Sequence, residues 1–502
     1  GEDGEGEDGQ EEKDRPTPVR IDFDGLAQRI VALPVEAAAY RSLQTGEAGK
    51  LYYLKAREGT QFAGVAGDSS LVRFDLEKRE EETLGEKVNG FVLSADGKKV
   101  LYASGSGDAA TWAVADAGKL EAGKGRVGIG DVKVRVDPRA EWEQMFHETW
   151  RIQRDYFYDP GMHGADWPAM RETYARFLPH LATRHDLNQV LRWMGSELTV
   201  GHLYVAGGDF RQEPERVPGG LLGADLAVED GRYRFARVYG GLNWNPDLRA
   251  PLTEPGVDVK TGEYLLAVEG EELRPPENPY SRFENTAGQI VEITVGPSPD
   301  GQGSRTVQVV PIANDIGLRN RAWVEGNLAR VDEATGGRVA YVYVPNTAGT
   351  GHTYFRRYFY PQAHKQAIII DERYNGGGLF ADYYIDILRR PFVAWWAMRY
   401  GGDLKTPLAS IQGPKVMIID QDAGSGGDLL PWMFRNLGMG PLVGKRTWGG
   451  LVGILGFPPL LDGGFVTAPN LAIWTEDGGW VVENEGVAPD VEVEQLPAEV
   501  MA

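Results

Sequence analysis

The sequence predicts a multidomain protein whose last block is an α/β domain. Three observations lead to this fold class. The 502 residues exceed one ordinary domain and suggest about three or four. The hydrophobic pattern changes from short strands to helices and back to strands along the chain. From residue 313 onward, near-continuous Val/Ile runs are each followed by a helical segment, which is typical of a sheet covered by helices.

Composition excludes several classes of function. The formal net charge is −21, whereas a nucleic-acid binder needs a basic surface. No apolar run approaches the roughly 20 residues that span a membrane. The absence of cysteine excludes disulfides, thiolate zinc sites and a cysteine nucleophile. Residues 1–18 are strongly acidic and predict a solvated linker. No signal peptide is visible, and we expect a cytoplasmic location.

Residues 19–130 read as short strands separated by Gly and Asp turns. The segment FVLSADGKKVLYA (91–103) predicts a hairpin with an Asp-Gly turn. Strands in sets of four, at about 40 residues a set, indicate propeller blades. This length holds about two blades, which cannot close a ring. We therefore expect the C-terminal blades of an incomplete β-propeller, with the other blades upstream of residue 1.

Two smaller units follow. Residues 131–215 show helical periodicity and predict a small helical domain, with N-caps at Asp166 and Thr183. Residues 216–312 are β-rich, and GVDVKTGEYLLAVEG (256–270) resembles the same stretch of a PDZ domain. That fold binds peptide ends by adding a strand to a sheet edge. A generic small β domain is the alternative.

Two glycine loops follow strands of the last block, which spans 313–502: DERYNGGG (371–378) and DAGSGGD (422–428). Ligands of open α/β sheets bind beyond the carboxyl ends of the strands. One N–H group from each loop would make an oxyanion hole for acyl transfer. Ser425, just ahead of a helix, would gain from the positive helix end as it becomes an alkoxide. A phosphate cradle is disfavoured, since no Lys-Ser/Thr follows the glycines.

Four motifs together resemble the tricorn proteases, which belong to the tail-specific, or C-terminal-processing, serine peptidase clan. They stand in the expected order and include the two glycine loops, GKRTWGGLVG (444–453) and VENEGVAPD (482–490). A propeller tail, a helical part, a PDZ-like unit and an α/β core match the C-terminal half of a tricorn protease. The resemblance covers nearly the whole chain.

The resemblance assigns the site residue by residue. Ser425 stands at the nucleophile, His202 at the general base and Glu483 at the acidic partner. Glu485 is a rival for Glu483, because two residues at this spacing share a face of a strand. Four other histidines lie in or beside predicted helices, where surface or core roles are commoner than catalysis: His147, His163, His180 and His185.

The remaining assignments concern the oxyanion hole and the substrate. The resemblance implies Gly377 and the N–H of Gly426 as oxyanion donors, with Gly376 as the alternative register. Tricorn proteases carry a serine before the histidine, where this chain has Gly201. They also carry an aspartate after the nucleophile, associated with basic residues beside the scissile bond, where this chain has Gly426. Gly376, Gly201 and Asp428 are assigned to the surroundings of the substrate.

The resemblance therefore implies a serine endopeptidase that cleaves peptides or unfolded polypeptides through an acyl-enzyme, with no metal or nucleotide cofactor. It also implies a homo-oligomer, by analogy a hexamer. One alternative is a non-catalytic peptide-binding scaffold that uses the PDZ-like unit and the propeller. Another is a lysine base, for which Lys445 is the nearest candidate downstream of Ser425.

Overall fold

The computed structural model describes residues 21–30, 32–56, 69–105, 110–121, 123–130, 132–210 and 216–501. The acidic linker predicted for 1–18 lies outside these residues. The chain forms two compact units, Gly1–Val134 and Arg135–Ala502. Within the described ranges, no helix combines the length and the apolar character that crossing a membrane requires.

The first unit contains two four-stranded antiparallel sheets, each with its strands in chain order. The Asp-Gly turn joins two paired strands as predicted, with Gly97 at φ +69°. Four sequential antiparallel strands are what one propeller blade requires, and the assignment of both sheets to an incomplete propeller stays a prediction. The unit starts with a 3₁₀ turn at Leu26–Arg29, followed by β1 (Ala39–Thr45), β2 (Lys50–Ala56), β3 (Ser69–Asp75), β4 (Glu80–Gly85), β5 (Val88–Leu93), β6 (Lys99–Ser104), β7 (Thr111–Asp116) and β8 (Arg126–Val127).

The second unit opens with a helical layer whose caps follow the sequence prediction. The Asp166 side chain accepts the N–H of Ala169, and Thr183 forms a capping box with Asp186. Such caps satisfy N–H groups that the helix itself leaves unpaired. The helices pack around a common apolar core, and the last of them leads into the loop of His202. They are α1 (Pro138–Tyr156), α2 (Trp167–Ala175) and α3 (Arg184–Ser196), followed by β9 (Val205–Ala206).

The PDZ-like region is an antiparallel sheet with strand order β10-β11-β12-β14-β15, and β13 pairs with β12. Its core is aliphatic and aromatic, with Phe235, Leu265 and Ile293 fully buried. The first strand of the order, β10, lies at an edge, as a strand-adding fold requires. The strands are β10 (Ala224–Glu229), β11 (Arg232–Val238), β12 (Tyr264–Val268), β13 (Glu271–Glu272), β14 (Val291–Gly296) and β15 (Arg305–Val309).

The last region holds a five-stranded parallel sheet with order β16-β17-β20-β21-β23, which confirms the α/β prediction for the core. Helices Gly349–Gln362 and Ala381–Leu388 follow the first two strands of this sheet. The helices and strands are α4 (Ile316–Thr335), β16 (Val339–Tyr343), α5 (Gly349–Gln362), β17 (Ala367–Asp371), α6 (Ala381–Leu388), β18 (Ala394–Trp396), β19 (Leu404–Thr406), β20 (Lys415–Ile419), α7 (Gly426–Asn436), β21 (Leu442–Gly444), β22 (Phe465–Val466), β23 (Val491–Glu492) and α8 (Pro497–Met501).

Parallel strands end at one edge of their sheet, and the loops that follow β16, β17 and β20 meet there. The N–H of Gly376 donates to Pro345 O at 3.0 Å, and that of Thr347 donates to Gly377 O at 2.8 Å. The N–H of Gly424 donates to Asn375 O at 3.0 Å. The crevice beyond the strands is thus built from three hydrogen-bonded loops, where ligands of such sheets bind.

Candidate active site

Ser425 lies on a sharp turn between β20 and α7. Its backbone has φ 58° and ψ −116°, a conformation that a non-glycine residue adopts only when its surroundings enforce it. The Ser425 N–H donates to Gly450 O at 3.0 Å and to Asp428 Oδ2 at 2.9 Å. This geometry sets the hydroxyl at the positive end of α7, as in a nucleophile elbow.

The glycine loop after β17 approaches Ser425 closely. Gly377 has φ +82°, and a Cβ there would lie 2.6 Å from Ser425 Cβ and 3.0 Å from Ser425 Oγ. Any side chain at 377 would therefore displace the nucleophile. The N–H of Gly377, however, already donates to Asn375 Oδ1 at 2.9 Å. Since Gly376 donates to Pro345 O, neither predicted donor of this loop has a free N–H group.

The next glycine supplies a better candidate for the oxyanion site. The N–H groups of Gly378 and Gly426 form no hydrogen bond with an acceptor among the residues that the structure describes. A Cβ at Gly426 would lie 2.8 Å from the nitrogen of Gly378, so the two groups are neighbours. The candidate donor of the first loop therefore moves by one residue, from Gly377 to Gly378, while Gly426 keeps its assignment.

Thr347, on the loop after β16, is a site residue that sequence reasoning missed. Its side chain is fully buried, and its Oγ1 has no hydrogen-bond partner among the described residues. A Cβ at Gly426 would overlap with this hydroxyl. The hydroxyl thus occupies the space that a side chain after the nucleophile would need. Its position at the end of a neighbouring parallel strand was the only signal in the sequence.

We expect Thr347→Val to raise the free energy of unfolding by about 1 kcal/mol, because the hydroxyl has no partner to lose. Thr447→Val is the matched control: this buried threonine donates to Asp428 Oδ1 and accepts the Val487 N–H at 2.8 Å. Its replacement should lower the free energy of unfolding by about 1 to 3 kcal/mol. Thermal unfolding followed by circular dichroism checks both. A lower melting temperature for Thr347→Val would show that the Thr347 hydroxyl does have a hydrogen-bond partner.

His202 lies in a buried aromatic setting, with 7% of its surface exposed. Its ring centroid is 5.8 Å from that of Tyr204 and 5.5 Å from that of Trp448. Burial lowers the pKa of His202, and the nearby Glu483 carboxylate opposes this shift. Within the described part of the chain, its buried Nδ1 has no hydrogen-bond partner, so the neutral imidazole is the favoured form.

Glu483 links the loop that carries His202 to the loop at residues 451–452. Its Oε1 accepts the N–H of Gly201 at 2.7 Å, and its Oε2 accepts those of Leu451 at 2.7 Å and Val452 at 2.9 Å. Three backbone N–H groups therefore hold this side chain in one position. Glu485, by contrast, is exposed. Of the two glutamates, Glu483 is therefore the one near His202, although it accepts from the N–H of Gly201, the residue before His202, rather than from the imidazole.

The loop that carries Glu483 is tightly constrained. Val482 and Asn484, its two neighbours, have φ 73° and φ 63°. The Asn484 side chain donates from Nδ2 to Thr199 O at 2.7 Å. Non-glycine residues at positive φ store strain that the surrounding contacts must hold. The turn points the Glu483 carboxylate at the loop of His202 and Glu485 away from it.

Asp428 does not line an open pocket. Its side chain is fully buried, and it accepts from Thr447 Oγ1 and from the N–H groups of Ser425, Gly449 and Gly450. The assignment of Asp428 to substrate binding does not fit this burial. The carboxylate instead ties the nucleophile turn to the 447–450 loop.

The surroundings of Lys445 do not suit a catalytic base. Its Nζ pairs with Glu492 at 3.0 Å and with Glu494 at 3.5 Å. The hydrogen bond to Glu492 raises the pKa of Lys445, whereas a lysine that acts as a base needs a lowered one. The histidine alternative therefore fits the structure better.

Comparisons with known proteins agree with this architecture. Three family descriptions match successive parts of the second unit: the tricorn protease C1 domain at 138–196, the tricorn protease PDZ domain at 220–314 and peptidase family S41 at 338–493. Tricorn protease homolog 1 of Streptomyces coelicolor is 37% identical over 505 residues, which cover 95% of this chain and 46% of that protein. The tricorn protease of Thermoplasma acidophilum is 29% identical over 488 residues, which cover 96% of this chain and 44% of that protein.

A solved structure gives the same result. The crystal structure of the tricorn protease matches with a TM-score of 0.84 and 29% identity, over 93% of this chain and 45% of that chain. The chain thus spans about half the length of these relatives. The fold and the two glycine loops define the last region as a peptidase domain of family S41. The chain as a whole belongs to the tricorn protease family.

Proposed function

We propose that this chain hydrolyses peptide bonds in peptides or unfolded polypeptides through an acyl-enzyme on Ser425. The observation that carries the proposal is the strained turn of Ser425 at the start of α7, pressed against Gly377. Two neighbouring N–H groups, those of Gly378 and Gly426, lack acceptors among the described residues. Unpaired donors beside a nucleophile are what an oxyanion hole requires. Assembly into a homo-oligomer remains a proposal by analogy with the family.

In the proposed mechanism, His202 takes the proton of Ser425 Oγ as the oxygen attacks the substrate carbonyl carbon. Gly378 and Gly426 donate to the developing oxyanion. The protonated imidazole then gives its proton to the leaving amine, and a water molecule repeats the sequence to release the acid. Glu483 stabilises the imidazolium by its charge, reaching Nδ1 directly or through a water.

The free protein shows no hydrogen bond between Ser425 Oγ and the His202 ring among the described residues. Catalytic hydrogen bonds are often long without substrate and tighten when it binds. The low pKa of His202 keeps the base neutral below the ordinary histidine value of about 6.5. We therefore expect the midpoint of the acid limb of kcat/KM to lie below pH 6.5, where His202 gains a proton. A plot of kcat/KM against pH measures this.

The PDZ-like region has a pocket of about 110 Å³ that is lined in part by the segment GGLLGADLAV (219–228). Two N–H groups at the start of that segment are already paired: Gly220 donates to Phe283 O at 2.7 Å and Leu221 to Ile312 O at 2.8 Å. They are not available to a peptide carboxylate. The pocket suits an apolar side chain, because its lining is mainly apolar: Leu222, Ala224, Leu226, Phe235 and Phe283 among others.

We therefore expect peptides with free and with amidated C-termini to be cleaved at rates within about twofold of each other, since the paired amides cannot bind a carboxylate. Matched pairs of one fluorogenic peptide test this. The control replaces the C-terminal apolar residue with aspartate, which should slow cleavage in both forms. A tenfold preference for the free carboxylate would show that the segment binds it after all.

Labelling by a fluorophosphonate tests the catalytic proposal. The probe should react with one serine, identified as Ser425 by mass spectrometry of the digested protein. Ser425→Ala should remove the label, and Ser196→Ala, at the end of α3, should leave it unchanged. A folded wild-type chain that takes up no label would favour the non-catalytic scaffold.

A further inference from the structure

Trp448 joins the loops of the nucleophile and of the base. Its indole lies against three glycines, Gly201, Gly424 and Gly450. A Cβ at Gly201 would lie 3.1 Å from the ring and one at Gly424 would lie 2.5 Å from it, while one at Gly450 would overlap with it. A side chain at Gly424 or Gly450 would therefore clash with the indole, and a side chain at Gly201 would be tightly confined by it. The ring thus disfavours any residue larger than glycine at position 201.

The indole also contacts His202, with 5.5 Å between the ring centroids and 41° between their planes. The backbone N–H of Trp448 donates to Ala423 O at 2.9 Å, which ties the Trp448 backbone to the loop of Ser425. About half of the side chain, 49%, is exposed. Trp448 thus forms a wall between the buried imidazole and solvent.

Among the described residues, no side-chain or backbone group forms a hydrogen bond with the imidazole. Its Nδ1 has no hydrogen-bond partner among the described residues, and both oxygens of Glu483 accept backbone N–H groups instead. A base usually owes its orientation to a hydrogen bond at Nδ1. Here the only ring contacts recorded for His202 in the described part of the chain are aromatic, to Trp448 and Tyr204.

We propose that Trp448 is the positioning residue of the catalytic base. Its face keeps the His202 ring aimed at the Ser425 turn and excludes water from one side. This inference rests on the proposed function, because it assigns Trp448 a role only if His202 acts as the base.

The variant series is Trp448→Ala, Trp448→Phe and, as a matched control, Trp480→Ala. Trp480 is also half exposed, at 50%, and packs on Tyr158 at 4.9 Å between ring centroids. We expect Trp448→Ala to lower kcat by about 10- to 100-fold with a smaller change in KM, Trp448→Phe to retain more activity, and Trp480→Ala to lower kcat less than twofold.

The pH profile separates positioning from a purely structural role. Removing the indole opens His202 to water, and burial is the main cause of its low pKa. The pKa should then rise toward the ordinary value, so the acid limb of kcat/KM should move to higher pH in Trp448→Ala and stay in place in Trp480→Ala. A merely loosened fold would lower activity at every pH without moving the limb.

A double-mutant cycle adds a second readout. Gly201→Ala should lower activity alone, because its Cβ meets the indole at 3.1 Å, and should cost less in the Trp448→Ala background. Equal costs in both backgrounds, or an unchanged kcat and acid limb in Trp448→Ala, would overturn the inference. Wild-type labelling at Ser425 would still uphold the proposed function in that case, whereas no labelling would remove both.

Discussion

Ser425→Ala should lower kcat for a fluorogenic peptide by about six powers of ten, to the level left by binding and the oxyanion site. The reason is that no other hydroxyl occupies the strained turn before α7. The fold should survive, since the Ser425 backbone N–H, rather than its side chain, bonds Gly450 O and Asp428. Circular dichroism and the melting temperature check that condition.

Adding Glu483→Gln to Ser425→Ala should then cost less than tenfold more, because nucleophile, base and acid act as a unit. Additive losses would mean that Glu483 acts on the substrate independently of the serine. Rapid turnover by the Ser425→Ala variant would place the nucleophile elsewhere and end the acyl-enzyme proposal.

Much of the fold followed from local sequence patterns. Thr183 predicts a helix start because a short polar side chain can pair with free N–H groups. The structure has that cap, and Asp186 completes it as a capping box. The Val/Ile run before Ser425 predicts a buried strand for the same kind of reason, and β20 confirms it. Such features depend on neighbours in sequence, so they can be read without the tertiary structure.

The site was less predictable because its details depend on distant loops. Glu483 and Glu485 could not be separated while a strand was assumed. The structure has a tight turn there, with Val482 and Asn484 at positive φ. Asparagine tolerates that conformation, but a valine gives no sign of it. From the sequence, Gly201 is only the position where tricorn proteases carry a serine. The contact between Gly201 and the Trp448 ring depends on the tertiary structure.

The register of the first glycine loop shows the same limit. The sequence of three consecutive glycines, 376–378, does not indicate which of their N–H groups lacks an acceptor. Asn375 Oδ1 accepts the N–H of Gly377, and Pro345 O, on the loop after β16, accepts that of Gly376. Only the tertiary hydrogen bonds leave Gly378 as the candidate donor.

Glu483→Gln against Glu485→Gln tests the acidic partner. We expect Glu483→Gln to lower kcat by about two to four powers of ten, because an amide cannot stabilise the imidazolium by charge. Glu485→Gln, on an exposed side chain, should change kcat less than twofold. Both are measured at one pH, with circular dichroism as the check on folding.

The pH dependence sharpens the comparison. The Glu483 carboxylate raises the pKa of His202 against the larger effect of burial. Its loss should therefore lower that pKa further and move the acid limb of kcat/KM to lower pH, while kcat falls. Glu485→Gln should leave the limb in place. If kcat fell in the Glu485 variant instead, Glu485 rather than Glu483 would be the acidic partner of His202. If neither variant were affected, His202 would work without a carboxylate, and the Ser-His-Glu proposal would fail.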